Sequence, residues 1–457
     1  MKAWFCDEAL LPGGWARDVR IEVDEHGDIA SVAASASPAG AERLAGPVLP
    51  GMANVHSHAF QRAMAGLAEM RGDSEDDFWT WRELMYRFVS RLEPAQAEAI
   101  ATHLYVEMLK HGYTAVAEFH YVHNDPAGAR YAEPAEMLLR HLAAARAAGI
   151  AVTLLPSLYA WSNFGRRPPK SEQKRFLSDV AGVLSMIDAA RAASAGDPDV
   201  RAGAAPHSLR AVDIAQLRDL AAGLHAKDPL APIHIHVAEQ TREVDDCVAW
   251  SGKRPVEFLL ENIPVDSRWC IVHATHMTAE ETRALAASGA IAGFCPSTEA
   301  NLGDGIPPLA DYRRAGGRYG IGGDSHVCRD PAEELRWLEY AQRLAARRRN
   351  LVVGSSTRGV GTALWLEAAQ GGAQALGRSM GAIAPGRRAD LVVLDGDHPD
   401  LVARSADAVA NALLFSGADR MVRDVMVGGC WRVRERRHAL EESAAARYRR
   451  AAVDLLG

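Results

Sequence analysis

The sequence predicts an α/β fold, a (β/α)8 TIM barrel with a small β-sandwich domain built from both chain termini. Three observations predict it. Eight short apolar runs alternate with helical stretches, several of those runs end in a histidine or an aspartate, and both chain ends break the alternation. The runs are 48–58, 114–121, 151–159, 200–208, 232–239, 268–275, 291–297 and 319–325, with Ala/Leu/Glu/Arg-rich stretches such as 134–148 and 214–225 between them. Such alternation implies parallel strands with helical crossovers. Eight units point to a closed barrel, although an open doubly wound sheet shows the same rhythm. Polar residues at the strand ends decide between them, because in a barrel all those ends meet on one face. The ends of the chain read as short strands, at 19–23 and 29–32 around Asp24-Glu25-His26-Gly27-Asp28, and at 389–394 and 423–433 with a turn at Gly428-Gly429. The division that follows is 1–47 as the first part of the sandwich, 48–384 as the barrel, and 385–457 as the second part with a C-terminal helix. A chain of 457 residues suits a barrel plus a small second domain better than one core.

Composition removes several classes of function. Apolar residues make up 48% and charged residues 24%, so extensive disorder is not expected. The formal charge of −7 gives no reason to expect nucleic acid or an anionic membrane as partner. The basic clusters at 347–349 and 434–437 read as solvated faces. The six cysteines, Cys6, Cys247, Cys270, Cys295, Cys328 and Cys430, include no Cys-x-x-Cys pair, and Cys270 and Cys295 sit in apolar runs as small core residues. With neither a secretory signal nor a long apolar span in view, the expected location is cytoplasmic.

The chemistry lies at the strand ends. The first run closes on His56-Ser57-His58, and alternate residues of a strand share a face, so both imidazoles can meet one ion. The fifth closes on His234-Ile235-His236-Val237-Ala238-Glu239, the sixth on His273 and the eighth on Asp324. Any one of these histidines alone is better read as a core residue. The four coincidences together point to a metal site. Imidazoles with a carboxylate suit one divalent ion, Zn2+, with Fe2+ or Mn2+ as alternatives. An open position lets such an ion lower the pKa of a coordinated water toward ~7, and Glu239 and Asp324 are the carboxylates available to move protons.

These elements, with the tail Pro385-Gly386-Arg387-Arg388-Ala389-Asp390-Leu391-Val392-Val393-Leu394, resemble the amidohydrolase superfamily over nearly the whole chain. The resemblance implies His56, His58, His236 and Asp324 as metal ligands, and Glu239, His273 and Asp324 as the catalytic groups of its deaminase branch. The fourth run ends in Ala205-Pro206-His207-Ser208 and offers no lysine for a binuclear centre, which favours one metal. Finer matches lie in Gly51 to Arg62, Phe78-Trp79-Thr80-Trp81-Arg82, Glu118-Phe119-His120-Tyr121 and Ala205 to Arg210. They resemble the members that hydrolyse the terminal C=NH of a formimino amino acid in histidine degradation, N-formimino-L-glutamate giving N-formyl-L-glutamate and ammonia. Substrate contacts would then fall to Gln61, Arg82, Tyr121, His207 and Arg210, the two arginines taking the two carboxylates of a small dicarboxylate substrate. Arg82 packing over Trp79 or Trp81, and Tyr121 as a core residue, are the competing readings. An aminohydrolase of a purine, pterin or triazine ring is the alternative activity, and release of formamide in place of ammonia the alternative regiochemistry. A catalytically silent metal-binding scaffold is a third reading, disfavoured because Glu239 and His273 accompany the ligands. The resemblance also implies a homodimer. Segments 73–77 and 303–305 are expected in loops at the barrel mouth.

Overall fold

The computed structural model describes residues 1–70, 78–354, 357–417 and 421–457. The mouth segment expected at 73–77 lies outside the described residues. All eight apolar runs form strands. They are β1 (Met52–Ser57), β2 (Tyr113–His120), β3 (Ala151–Leu158), β4 in two pieces (Val200–Ala202 and Ala205–Pro206), β5 (Ile233–Val237), β6 (Trp269–His273), β7 (Ile291–Phe294) and β8 (Arg318–Ile321). Neighbours pair in parallel along the path β4-β3-β2-β1-β8-β7-β6-β5. Parallel bridges Ala204↔Ile233 and Ser208↔His236 join β4 to β5 and close the ring. The open-sheet alternative is thereby excluded. Near-continuous apolar sequence in these strands follows from burial on both faces, with helices outside and packed side chains within.

The two chain ends share a second sheet of nine strands. Its path runs Arg437–His438, Cys430–Arg434, Val422–Val427, Leu391–Leu394, Val48–Pro50, Lys2–Leu11, Gly14–Val23 and Ile29–Ala33, with Glu42–Arg43 beside Lys2–Leu11. It has its own apolar cluster, including Trp4, Val19, Ile21, Leu391 and Met426. The run 48–58 therefore splits: Val48–Pro50 belongs to this sheet and β1 to the barrel. Gly51 is the pivot. Its N–H donates to Asp390 O at 2.9 Å, and a Cβ there would stand 2.3 Å from Thr114 Oγ1, so only glycine permits the approach.

Helix Val360–Ala375 packs against β8 and β1 on the outside of the barrel. Contact is backbone to backbone, since a Cβ on Gly371 would fall 1.8 Å from Tyr319 O. Trp365 Nε1 donates to Pro50 O at 3.0 Å and ties the same helix to the terminal sheet. The C-terminal helix Glu441–Leu456 lies along helix Pro94–Lys110, where Lys110 Nζ pairs with Glu441 at 3.1 Å. All six cysteines are free, and five of them are buried. Among the described residues, no helix is long and apolar enough to cross a membrane.

Candidate metal and active centre

Convergence at the strand ends begins with backbone bonds between β1 and β8. Asp324 N donates to His56 O at 2.9 Å and His58 N to Asp324 O at 3.0 Å, so the His-x-His segment and the aspartate arrive together. The Nε2 atoms of His56, His58 and His236 form a triangle with sides of 3.1, 3.3 and 3.0 Å. Asp324 Oδ1 stands 3.5 Å from His56 Nε2 and 3.4 Å from His58 Nε2. Donors at the ~2.0–2.1 Å bond lengths of a tetrahedral zinc site lie roughly 3.3–3.4 Å apart.

Tautomers support the same reading. His58 Nδ1 lies 2.8 Å from Phe119 O and His236 Nδ1 2.7 Å from His207 O. A carbonyl only accepts, so each Nδ1 carries the proton and each Nε2 turns a lone pair inward. Lone pairs facing one another across about 3 Å need a cation among them. Burial, the largest influence, pushes His56 and His236 well below the usual histidine range and lowers His58 as well. Neutral imidazole is the ligating form.

Beside this cluster sits a group of buried titratable side chains. His273 Nε2 is 3.7 Å from Glu239 Oε1 and 3.8 Å from Asp324 Oδ2, and its Nδ1 is 3.4 Å from Glu299 Oε1. Burial opposes charge on His273, but Glu239, Glu299 and Asp324 outweigh it and lift the imidazole to about 10. Burial raises Glu239 to about 7, against the pull of His273 and Arg210. Ala238, His273, Ala274, Asp324 and His326 all have positive φ, between 48° and 67°. Non-glycine residues in that region carry strain, and clustering at strand ends marks a site whose geometry is imposed by its surroundings.

A narrow cleft opens above, lined by His58, Gln61, Arg82, Tyr121, His207, Arg210, His236, Glu239, His273 and Asp324, with His56 beneath. Every site residue expected from the sequence is thus at this one mouth. Gln61 Nε2 donates to Tyr121 OH at 2.7 Å, and the Tyr121 ring lies edge-on to His58. Arg82 does lie over Trp79, Cζ to ring centre 4.3 Å, yet it also lines the cleft, so packing and contact are not exclusive. The Nε atoms of Arg82 and Arg210 are buried and have no hydrogen-bond partner among the described residues.

Sequence reasoning missed the layer behind these groups. Glu118 accepts from Ser57 Oγ at 2.5 Å, Ala59 N at 2.9 Å and Tyr105 OH at 2.9 Å, and Ser57 Oγ also meets His326 Nε2 at 2.8 Å, which bolts the His-x-His strand in place. Glu299 backs His273 and Glu243 backs Glu239. Asp304, expected in a mouth loop, is buried and accepts from Gln240 Nε2. Glu118 and Glu243 could have been found by asking what buries a carboxylate next to a ligand segment. Glu299 carries no such signal.

Residues 48–432 match the sequence profile described as amidohydrolase family, and residues 1–46 match that described as formimidoylglutamate deiminase HutF, N-terminal domain. The chain belongs to the amidohydrolase family. It is 55% identical over 459 residues to the formimidoylglutamate deiminase of Pseudomonas aeruginosa, covering 100% of this chain and 99% of that protein. The 8-oxoguanine deaminase of the same organism is 30% identical over 84% of this chain and 82% of its own. Among solved structures, an amidohydrolase from Brucella melitensis superposes with a TM-score of 0.94 at 45% identity, both chains covered in full. The amidohydrolases are metal-dependent, and the inward-facing donors of this member fit that requirement.

Proposed function

We propose that this amidohydrolase converts N-formimino-L-glutamate and water to N-formyl-L-glutamate and ammonia, a step of histidine degradation. The observation that carries the reading is a hydrolytic donor cluster at the floor of a cleft whose wall presents two guanidinium groups with buried, unpartnered Nε atoms. Buried donors without acceptors are costly, and a dicarboxylate supplies the acceptors. The 55% identical relative is named for the same activity.

His56, His58, His236 and Asp324 would hold one divalent ion, Zn2+ on the chemistry of three imidazoles and a carboxylate. When bound, that ion supplies a Lewis acid that brings the pKa of a coordinated water close to neutrality. Arg82 and Arg210 bind the two carboxylates, and Gln61, Tyr121 and His207 pack around the chain between them. Asp324 takes the attacking water's proton. His273, lifted to about 10, hydrogen-bonds the hydroxyl oxygen that the attacking water leaves on the former formimino carbon and steadies the tetrahedral intermediate. Glu239 faces the amidinium group as its counter-charge, takes a proton from it and returns that proton to the nitrogen as water adds. It then carries the proton of the new hydroxyl to the same nitrogen as C=O forms and the C–N bond breaks. Ammonia leaves, while the water's other proton remains on Asp324 until release. A carboxyl poised at about 7 suits both directions of transfer.

Zinc-loaded protein given N-formimino-L-glutamate should release ammonia and N-formylglutamate in equal amounts, and Arg82→Met and Arg210→Met should each raise KM at least about tenfold. Formamide and glutamate as products would overturn the reaction and keep the substrate. No turnover at full metal occupancy, with arginine variants indifferent toward a ring amine, would favour the ring aminohydrolase reading, the activity named for the 30% identical relative.

A further inference from the structure

Glu243 sits on the first turn of helix Thr241–Ser251 and is 1% exposed. Its two oxygens face backward, out of the helix. Oε1 accepts from Ala238 N at 3.2 Å and Oε2 from Glu239 N at 3.2 Å. Oε2 also lies 3.9 Å from Arg210 Nε, while Arg210 Nη2 lies 3.8 Å from Glu239 Oε2. One buried carboxylate therefore touches the turn that carries Glu239 and shares Arg210 with it.

An acidic residue in a first helical turn is ordinarily a partner for that helix's own amides and dipole. The amides bound here precede the helix, and one belongs to Ala238, held at φ 54°. A turn in the left-handed region persists only when its surroundings hold it. Arg210 adds a second demand. At 3.8 and 3.9 Å it pairs with both carboxylates at long range and hydrogen-bonds to neither, and its Nε stays without a partner. With Glu243 absent, a buried guanidinium facing Glu239 alone would close onto it, since a single buried charge seeks its one partner. That collapse would occupy the proton-transfer carboxylate and the substrate's anchor together.

We propose that Glu243 is a positioning residue that fixes the Ala238–Glu239 turn and holds Arg210 between two carboxylates, keeping both Glu239 and Arg210 available to substrate. This rests on the reading above, in which Arg210 anchors a carboxylate and Glu239 moves a proton. Two effects follow, one on binding through Arg210 and one on turnover through Glu239.

The test compares metal-loaded wild type, Glu243→Gln, Arg210→Met and the double variant on N-formimino-L-glutamate, with metal content and melting temperature recorded for each. Expected for Glu243→Gln is a normal metal content, a KM raised about tenfold and a kcat lowered about tenfold. In the Arg210→Met background the same change should leave KM where it was and still lower kcat, because the binding effect acts through Arg210. Unchanged kinetics with a lowered melting temperature, or an equal KM increase in both backgrounds, overturns the proposal. Hydrogen exchange without substrate decides the turn independently of activity: the Ala238 and Glu239 amides should exchange faster in Glu243→Ala, and unchanged protection overturns it. An inactive wild type would count against the substrate reading alone, leaving the exchange result to judge Glu243.

Discussion

In the proposed mechanism the chemistry turns on Glu239, because burial and neighbouring charge act on it in opposite senses. Burial raises its carboxyl to about 7, while His273 and Arg210 pull it down. Close to neutrality, it can both accept and return a proton within one turnover, which an ordinary exposed glutamate at ~4.3 does poorly. Glu239→Gln keeps the shape and removes the titrating oxygen. Its turnover should fall by about 10²–10⁴-fold, with metal content near that of the wild type, since no Glu239 atom belongs to the donor triangle. Atomic absorption beside a steady-state assay checks both halves. Full activity would remove Glu239 from the mechanism, and loss of metal would make it part of the ion's support. His273 is the complementary case, lifted to about 10 by three surrounding carboxylates against burial.

At the scale of the element, β1, β5, β6 and β8 each deliver one or two polar residues to the mouth, and that delivery was legible. His56, His58, His236, His273 and Asp324 stand at the ends of apolar runs, and period-two alternation with barrel geometry is enough to bring them together. The split of 48–58 at Gly51 was not legible, because both pieces are apolar and the division depends on Asp390 and Thr114, residues far along the chain. Nor was Glu299, whose partner His273 lies on another element and whose burial no local pattern records. Helix Val360–Ala375 shows the same limit. Its packing depends on Gly371 meeting Tyr319 O, a contact between positions about fifty residues apart. Gly371→Val should therefore cost about 3 kcal/mol or more, because a side chain there meets backbone that has nowhere to move. Urea unfolding checks it, and an unchanged midpoint would mean the helix can lift from the barrel without loss.

Across the whole molecule, burial holds many histidines below their usual range. His123, His141 and His234 are pushed down to about 4 and His326 to about 3, in each case chiefly by burial. His56, His58, His103, His120, His207, His236 and His438 are lowered as well. For a histidine lowered on folding, the unfolded chain takes up a proton as pH drops through about 6.5 while the native one does not, so stability is present above that pH and is lost on acidification. Buried carboxyls act in the reverse sense. Burial raises Glu118 to about 7, Glu334 to about 8 and Asp390 to about 6, and raises Glu239, Asp304 and Asp330 too. Their contribution is full below the unfolded carboxyl range and declines as pH rises through these values. Between about pH 6.5 and 4.5 the two sets oppose one another, and the histidines outnumber the carboxyls. The melting temperature should accordingly fall from pH 7 to pH 5. Metal should raise the melting temperature at both pH values, because it binds the folded donor set, whose imidazoles burial already keeps in the ligating form. Calorimetry on both forms tests this directly. A melting temperature that holds steady or rises toward pH 5 would mean the carboxyls govern. No gain in melting temperature on metal loading would mean that His56, His58 and His236 are not holding the ion.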